Sequence, residues 1–361
     1  MAAILTKNGK RNPAKETDGP PLPTERAQLK LEFLRKRQDW GQAKLAGDAL
    51  PKKAGVFVAL VLAKLNTNRA MRSFQQYTRQ HGPLLSAGIG FTMFFSVTGL
   101  LTTGFAITGI VLGGDPVLEG AVINSVAAAA PGLLAVNGGK GLVDPQSLLN
   151  PAGLGWTAVI AAVVTVFTSL GWIASVREGL RAVTEAGPLQ RNPILQKLID
   201  AGTLLLLGVL LVVSSGASLV FGTAADWVIS LLPLDEAVSA PLAAVVNIVV
   251  PLLLNCTTAA VLFRVAAGLA LGRRAFLEGV VFAGVGTTIL QLFSTELLAR
   301  AGHNPVLASF AIIIGLLIWF NLVSQVYLVS ASWSAIREAD DESGTTQRTK
   351  ILGARRVTPH T

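Results

Sequence analysis

Asn304–Arg337 reads NPVLASFAIIIGLLIWFNLVSQVYLVSASWSAIR and carries no charge before its closing arginine. At about 1.5 Å of rise per residue, a helix of this length exceeds the roughly 30 Å of a bilayer's hydrocarbon core. The stretch predicts a transmembrane helix. Asn321 and Gln325 fall four residues apart within it and so share one helical face. Hydrocarbon cannot solvate an amide, so that face is expected to turn toward protein or water.

The rest of the chain has the same character. Of 361 residues, 51% are hydrophobic and only 14% charged, and the mean hydropathy is +0.56. Such a balance points to an integral membrane protein. Five more apolar stretches follow the same pattern, at 83–113, 156–176, 202–225, 241–263 and 277–295, and the last span is placed at 305–336. The expected fold is an all-α, polytopic membrane helical bundle of six transmembrane helices. In the first span Gly88, Thr92 and Ser96 recur at four-residue spacing and lead to Gly99, a seam of small residues suited to close helix contact. Residues 120–136 are uncharged but short and interrupted by Pro131 and Gly132, which predicts an outer-surface or re-entrant helix.

Outside the spans, residues 1–50 are polar and rich in Lys, Arg and Pro, with no apolar segment after the start. They predict a basic, largely disordered cytosolic tail with room for a short amphipathic helix at 28–40. Residues 51–82 contain AGVFVALVLA at 54–63, ten apolar residues and too few to span, then turn amphipathic through Met71, Phe74 and Tyr77. This reads as one interfacial amphipathic helix leading into the membrane domain of 83–336. Residues 337–361 are polar and predict a second disordered cytosolic tail.

The basic residues orient this map. Sixteen Lys or Arg precede Pro83, four lie between Arg177 and Asp200, three between Arg264 and Glu278, and five follow Ile336; only Lys140 and Arg300 lie elsewhere. The bias places both termini in the cytoplasm. The net charge of +9 therefore reports topology, and no specific nucleic-acid partner is expected. The implied partners are membrane lipids, chiefly anionic ones, drawn to Arg177, Arg181, Arg273 and Arg274 on the cytosolic loops.

No Asp, Glu, Lys, Arg or His lies near the middle of a predicted span, which disfavours a carboxylate relay. The polar residues at depth are neutral and patterned. Asn247, Pro251 and Asn255 stand four apart on the fourth span, Thr287 and Gln291 on the fifth, and Asn321 and Gln325 on the sixth. Two readings stand side by side: hydrogen bonding between helices, or a common groove for a lipid headgroup or small solute. Cys256 alone cannot form an intrachain disulfide or a zinc ribbon, and His81, His303 and His360 are scattered, so neither metal nor cofactor is expected. NGGKG at 137–141 lacks the Ser or Thr that follows the lysine of a phosphate-binding loop. Clustered acids or a nucleophile with its base are missing too, and no enzymatic activity is expected.

Three stretches carry a family resemblance: GIGFTMFFSVTGLL at 88–101, VREGLRAV at 176–183 and LLIWFNLVSQVYLVSASW at 316–333. With the six-span pattern they resemble the YihY/BrkB family of bacterial inner-membrane proteins, historically labelled ribonuclease BN-like. Trp319, Gln325 and Ala331 match the family pattern in the last span, whereas Gly99 stands where proline is frequent and Ser332 where glutamate is. The resemblance implies a multi-pass envelope protein of the bacterial cytoplasmic membrane, transporter-like and handling lipids or small amphiphiles. A structural or scaffolding membrane protein is the first alternative. The ribonuclease label is a disfavoured second, since the cytosolic loops offer phosphate-binding cations but no acid cluster.

Overall fold

The computed structural model describes residues 20–46, 49–111, 156–189, 191–210, 236–300 and 305–355, with isolated positions between 117 and 134. Side chains within the helices are described outside 101–111, 156–162, 236–247, 294–300, 305–312 and 345–355. The chain divides into two compact units, Met1–Arg72 and Ser73–Thr361.

In the first unit, α1 (Arg26–Leu45) and α2 (Leu50–Asn66) pack against each other as a hairpin. Pro51 sits in the first turn of α2, where its missing N–H costs nothing. Trp40 of α1 tilts against Phe57 of α2 with ring centroids 5.2 Å apart, and Leu29, Ala43 and Ala63 are buried. The buried Arg72 donates from Nε to the Pro23 carbonyl at 2.6 Å and holds the entry to α1 in place.

The single interfacial helix expected over 51–82 is corrected to two, α2 and α3 (Arg69–Arg79), separated at Thr67 and Asn68. Both residues satisfy helix ends with their side chains: the Thr67 hydroxyl donates to the Lys64 carbonyl at 2.6 Å, and Asn68 Oδ1 accepts from the Ala70 N–H at 3.4 Å. Short polar side chains compete with the helical backbone in this way, which makes them stops and starts.

The second unit contains α4 (Gly82–Val111), α5 (Trp156–Val183), α6 (Pro193–Leu210), α7 (Glu236–Val261), α8 (Arg273–Arg300) and α9 (Pro305–Arg355). A π turn, Leu262–Ala266, closes α7. Among the described residues five helical segments are long and apolar enough to cross a membrane: Gly82–Leu100, Pro193–Leu210, Ile248–Ala266, Arg273–Phe293 and Ile313–Gly344. They belong to five of the six expected spans, and α5 is the helix at the position of the other. The third span begins at Pro193 rather than 202; its part beyond 210 and the segment expected at 120–136 lie outside the described residues, apart from a few isolated positions. The tail expected to be disordered from 337 is corrected as well, because α9 continues as helix to Arg355. An Arg337–Asp341 pair at 3.1 Å, spaced i to i+4, supports the first turns of that extension.

α4 packs against α5 and α9, and α8 against α7 and α9, so α9 stands between the two halves of the bundle. One core gathers Ile173, Leu180, Phe263, Leu269 and Leu328, and a second forms around Phe94, Leu316, Trp319 and Phe320. Glycine sets the closest approach. A Cβ on Gly90 would lie 2.8 Å from the backbone nitrogen of Asn321, so only hydrogen fits between α4 and α9 there. Phe91, Phe95, Phe167, Leu205 and Phe293 point outward and are exposed, as expected of a surface facing lipid.

Candidate functional site

The amide stripes of α7 and α8 meet. Asn255 donates from Nδ2 both to Thr288 Oγ1 and to Gln291 Oε1, each at 3.0 Å. The Thr288 hydroxyl in turn donates to the Gly284 carbonyl at 2.8 Å. Gly284 makes this reach possible, since a Cβ there would meet the backbone nitrogen of Cys256 at 3.0 Å. Thr287, one residue away, is buried. Pro251 lies within α7 one turn before Asn255 and deprives the carbonyl four residues earlier of its helical donor. The π turn follows two turns later, a departure from regular helix that recurs at functional sites.

The third stripe is arranged differently. Gln325 donates from Nε2 to Asn321 Oδ1 within α9, so the two amides satisfy each other along one helix face. Asn255, Gln291, Asn321 and Gln325 are all half-buried. Asn247 lies on α7, but its side chain is outside the described residues. Ser332, where the family resemblance looks for glutamate, is fully buried and donates back to the Leu328 carbonyl at 2.9 Å. Ser324, Ser330 and Ser334 do the same along α9. The core face of α9 is therefore lined with hydroxyls turned onto their own helix.

The four basic residues singled out from the sequence part into two pairs. Arg177 of α5 forms an ion pair with Asp200 of α6, whose buried carboxylate also accepts from Gln196 Nε2 at 3.0 Å. Arg181 holds backbone: Nε donates to the Gly187 carbonyl at 2.7 Å, Nη1 to the Ala267 carbonyl at 2.8 Å and Nη2 to the Ala186 carbonyl. Burial pulls the Arg181 pKa below the ordinary arginine value, and the nearby charges of Arg191 and Arg177 add to that. The carbonyls it clamps belong to the turn after α5, where Glu185 adopts a left-handed backbone with φ 53°, and to the loop after the π turn. Arg273 and Arg274, by contrast, are exposed at the start of α8.

A second charged cluster, where the ends of α8 and α9 adjoin, escapes a reading by span composition. Glu278 of α8 pairs with Arg337 Nε of α9 at 2.9 Å and accepts from Trp333 Nε1 at 3.1 Å. Trp333 stacks on Phe282 at 5.2 Å between centroids, and Glu338 accepts the Gly272 N–H at 2.9 Å. The sequence signal was the placement of Glu278 and Arg337 at the predicted ends of adjacent antiparallel spans. Glu185 likewise accepts from Gln76 at 3.1 Å and Gln80 at 2.8 Å, tying α3 to the end of α5. Among the described residues no group of three or more His, Cys, Asp or Glu side chains gathers as a metal site.

Residues 73–351 match the protein family described as Virulence factor BrkB. The chain is similar to Inner membrane protein YhjD of Escherichia coli (strain K12), at 22% identity over 286 residues, covering 75% of this chain and 81% of the relative. It is also similar to an uncharacterised protein of Dickeya dadantii (strain 3937), at 25% identity over 294 residues, covering 79% of this chain and 87% of that protein. No solved structure matches.

Proposed function

This chain belongs to the BrkB virulence-factor family, and from that premise we propose that it is a transporter-like protein of the bacterial inner membrane that moves lipids or small amphiphiles along a neutral polar groove. The observation that carries the reading is the half-buried state of Asn255, Gln291, Asn321 and Gln325. An amide at hydrocarbon depth is costly against acyl chains, so a partly accessible one is best explained by a polar occupant beside it. Six spans with both termini in the cytoplasm follow from the charge distribution, and the exposed Arg273 and Arg274 attract anionic headgroups at the cytosolic mouth. The protein performs no catalysis in this scheme and uses no cofactor. Its partners are membrane lipids, without specific nucleic acid. Relatives whose last span carries an acid at the position of Ser332 would differ in how movement is coupled.

A fluorescent-lipid assay in proteoliposomes tests this. Labelled lipid of the inner leaflet becomes accessible to a membrane-impermeant quencher, and Asn321→Leu with Gln325→Leu slows that exposure at unchanged protein abundance. Exposure no faster than in empty vesicles, under every imposed ion gradient, removes the proposal. The two bonds from Asn255 favour a second reading, a scaffold in which the stripes only join helices. That reading requires the amide substitutions to lower thermal stability while leaving lipid movement at background.

A further inference from the structure

We propose that the α1–α2 hairpin docks onto an anionic bilayer surface through an apolar stripe of α2, as a membrane-binding device separate from the spans. Ala54, Phe57, Val58, Val61, Leu62 and Leu65 recur at helical spacing along α2. Packing on α1 buries Ala63 and sets Trp40 against Phe57, yet Phe57 remains 49% exposed, Val58 54% and Leu62 53%. Leu31 and Leu34 of α1 are exposed too. Seventeen residues of helix are about 25 Å long, too short to span with Lys52, Lys53 and Lys64 near the two ends. A helix of this kind lies in the interface plane, apolar face in the acyl boundary and lysines among headgroups.

Charge selects the occupant. α1 and α2 together carry nine Lys or Arg against two acids, Glu32 and Asp39. A second apolar protein surface would gain nothing from that excess, whereas a leaflet of negative phosphates is complementary to it. The unit also stands apart from the family match, which begins at residue 73, so the docking is an addition to whatever the matched region does. The inference does not rest on the transport proposal, and either can fail alone.

The test uses the full chain with Cys256→Ser, which removes its only cysteine, and an environment-sensitive fluorophore on Val61→Cys. The protein is placed in nanodiscs containing lipid with a quencher on the upper acyl chain. With phosphatidylglycerol present the fluorophore is quenched by the lipid and shielded from aqueous iodide; in phosphatidylcholine alone it is reached by iodide. Neutralising Lys52, Lys53 and Lys64 to Gln lowers the docked-to-free ratio by on the order of a hundredfold. Equal iodide access in both bilayers overturns the proposal. Shielding from iodide without lipid quenching overturns it as well, since a protein then covers the stripe.

Discussion

At Asp200 a single carboxylate decides whether two helices stay together. Its side chain and that of Arg177 are 1% and 12% exposed, so the carboxylate is buried and the guanidinium largely so. Asp200→Asn leaves a buried guanidinium without its countercharge and is expected to cost about 3–5 kcal/mol in unfolding free energy, whereas the double change Arg177→Met with Asp200→Leu restores most of it. Denaturation in mixed micelles, run as a double-mutant cycle, reads the difference; a double variant no better than Asp200→Asn refutes the pairing. The glycines offer a sharper contrast. Gly90→Ala is expected to cost about 1–3 kcal/mol because its Cβ meets the Asn321 backbone, while Gly88→Ala meets open space and is neutral or slightly stabilising. Melting temperatures of the two variants check this directly. The sequence pattern pointed to a close-packing seam of Gly88, Thr92, Ser96 and Gly99; Gly99 does meet Thr165 closely and Ser96 is buried, but Gly88 meets open space and the close approach to α9 falls on Gly90. Spacing identifies that small residues recur; it does not say which way the helix is turned, and that depends on a partner more than two hundred residues later.

The elements were legible where composition alone decides them. Among the described residues, the uncharged runs of span length are helical, and the stripes at Asn255 and Gln291 met as their depth in neighbouring spans allowed. Two boundaries were not legible, for opposite reasons. The break at Thr67–Asn68 depends on side-chain caps that a hydrophobicity pattern does not weigh. The continuation of α9 past Arg337 was hidden by polarity, since READDE reads as a tail until Glu278 and Arg337 are seen to pair across two helices. Helical amides exchange slowly, so hydrogen exchange at 338–343 should be retarded well beyond the random-coil rate and should quicken in Glu278→Gln. Exchange at the coil rate in the unaltered protein would restore the tail. Arg177 and Arg181 show the same limit in their chemistry: a basic loop suggests headgroup binding, but their partners Asp200 and Ala267 lie 23 and 86 residues away.

For the whole molecule, the distribution of 30 basic residues is the strongest topological signal, and it was available from the start. It makes an orientation test straightforward. In the Cys256→Ser background, a cysteine replacing Lys140 should react with a membrane-impermeant thiol reagent added to intact cells, and one replacing Ser343 should react only after the membrane is opened. The reverse pattern would invert the topology, move Arg273 and Arg274 to the outer face and remove the headgroup role proposed for them.

The length of α9 has a mechanical meaning. Its 51 residues form one rod of about 75 Å, more than twice the thickness of the hydrocarbon it enters. The nineteen residues from Arg337 to Arg355 make an arm of roughly 28 Å. A tilt of about ten degrees near Asn321, roughly 51 Å of helix from Arg355, would swing the tip of that arm by about 9 Å. A small event beside the amides is thereby magnified at the polar end of the arm, and a push on that end would be felt among the amides.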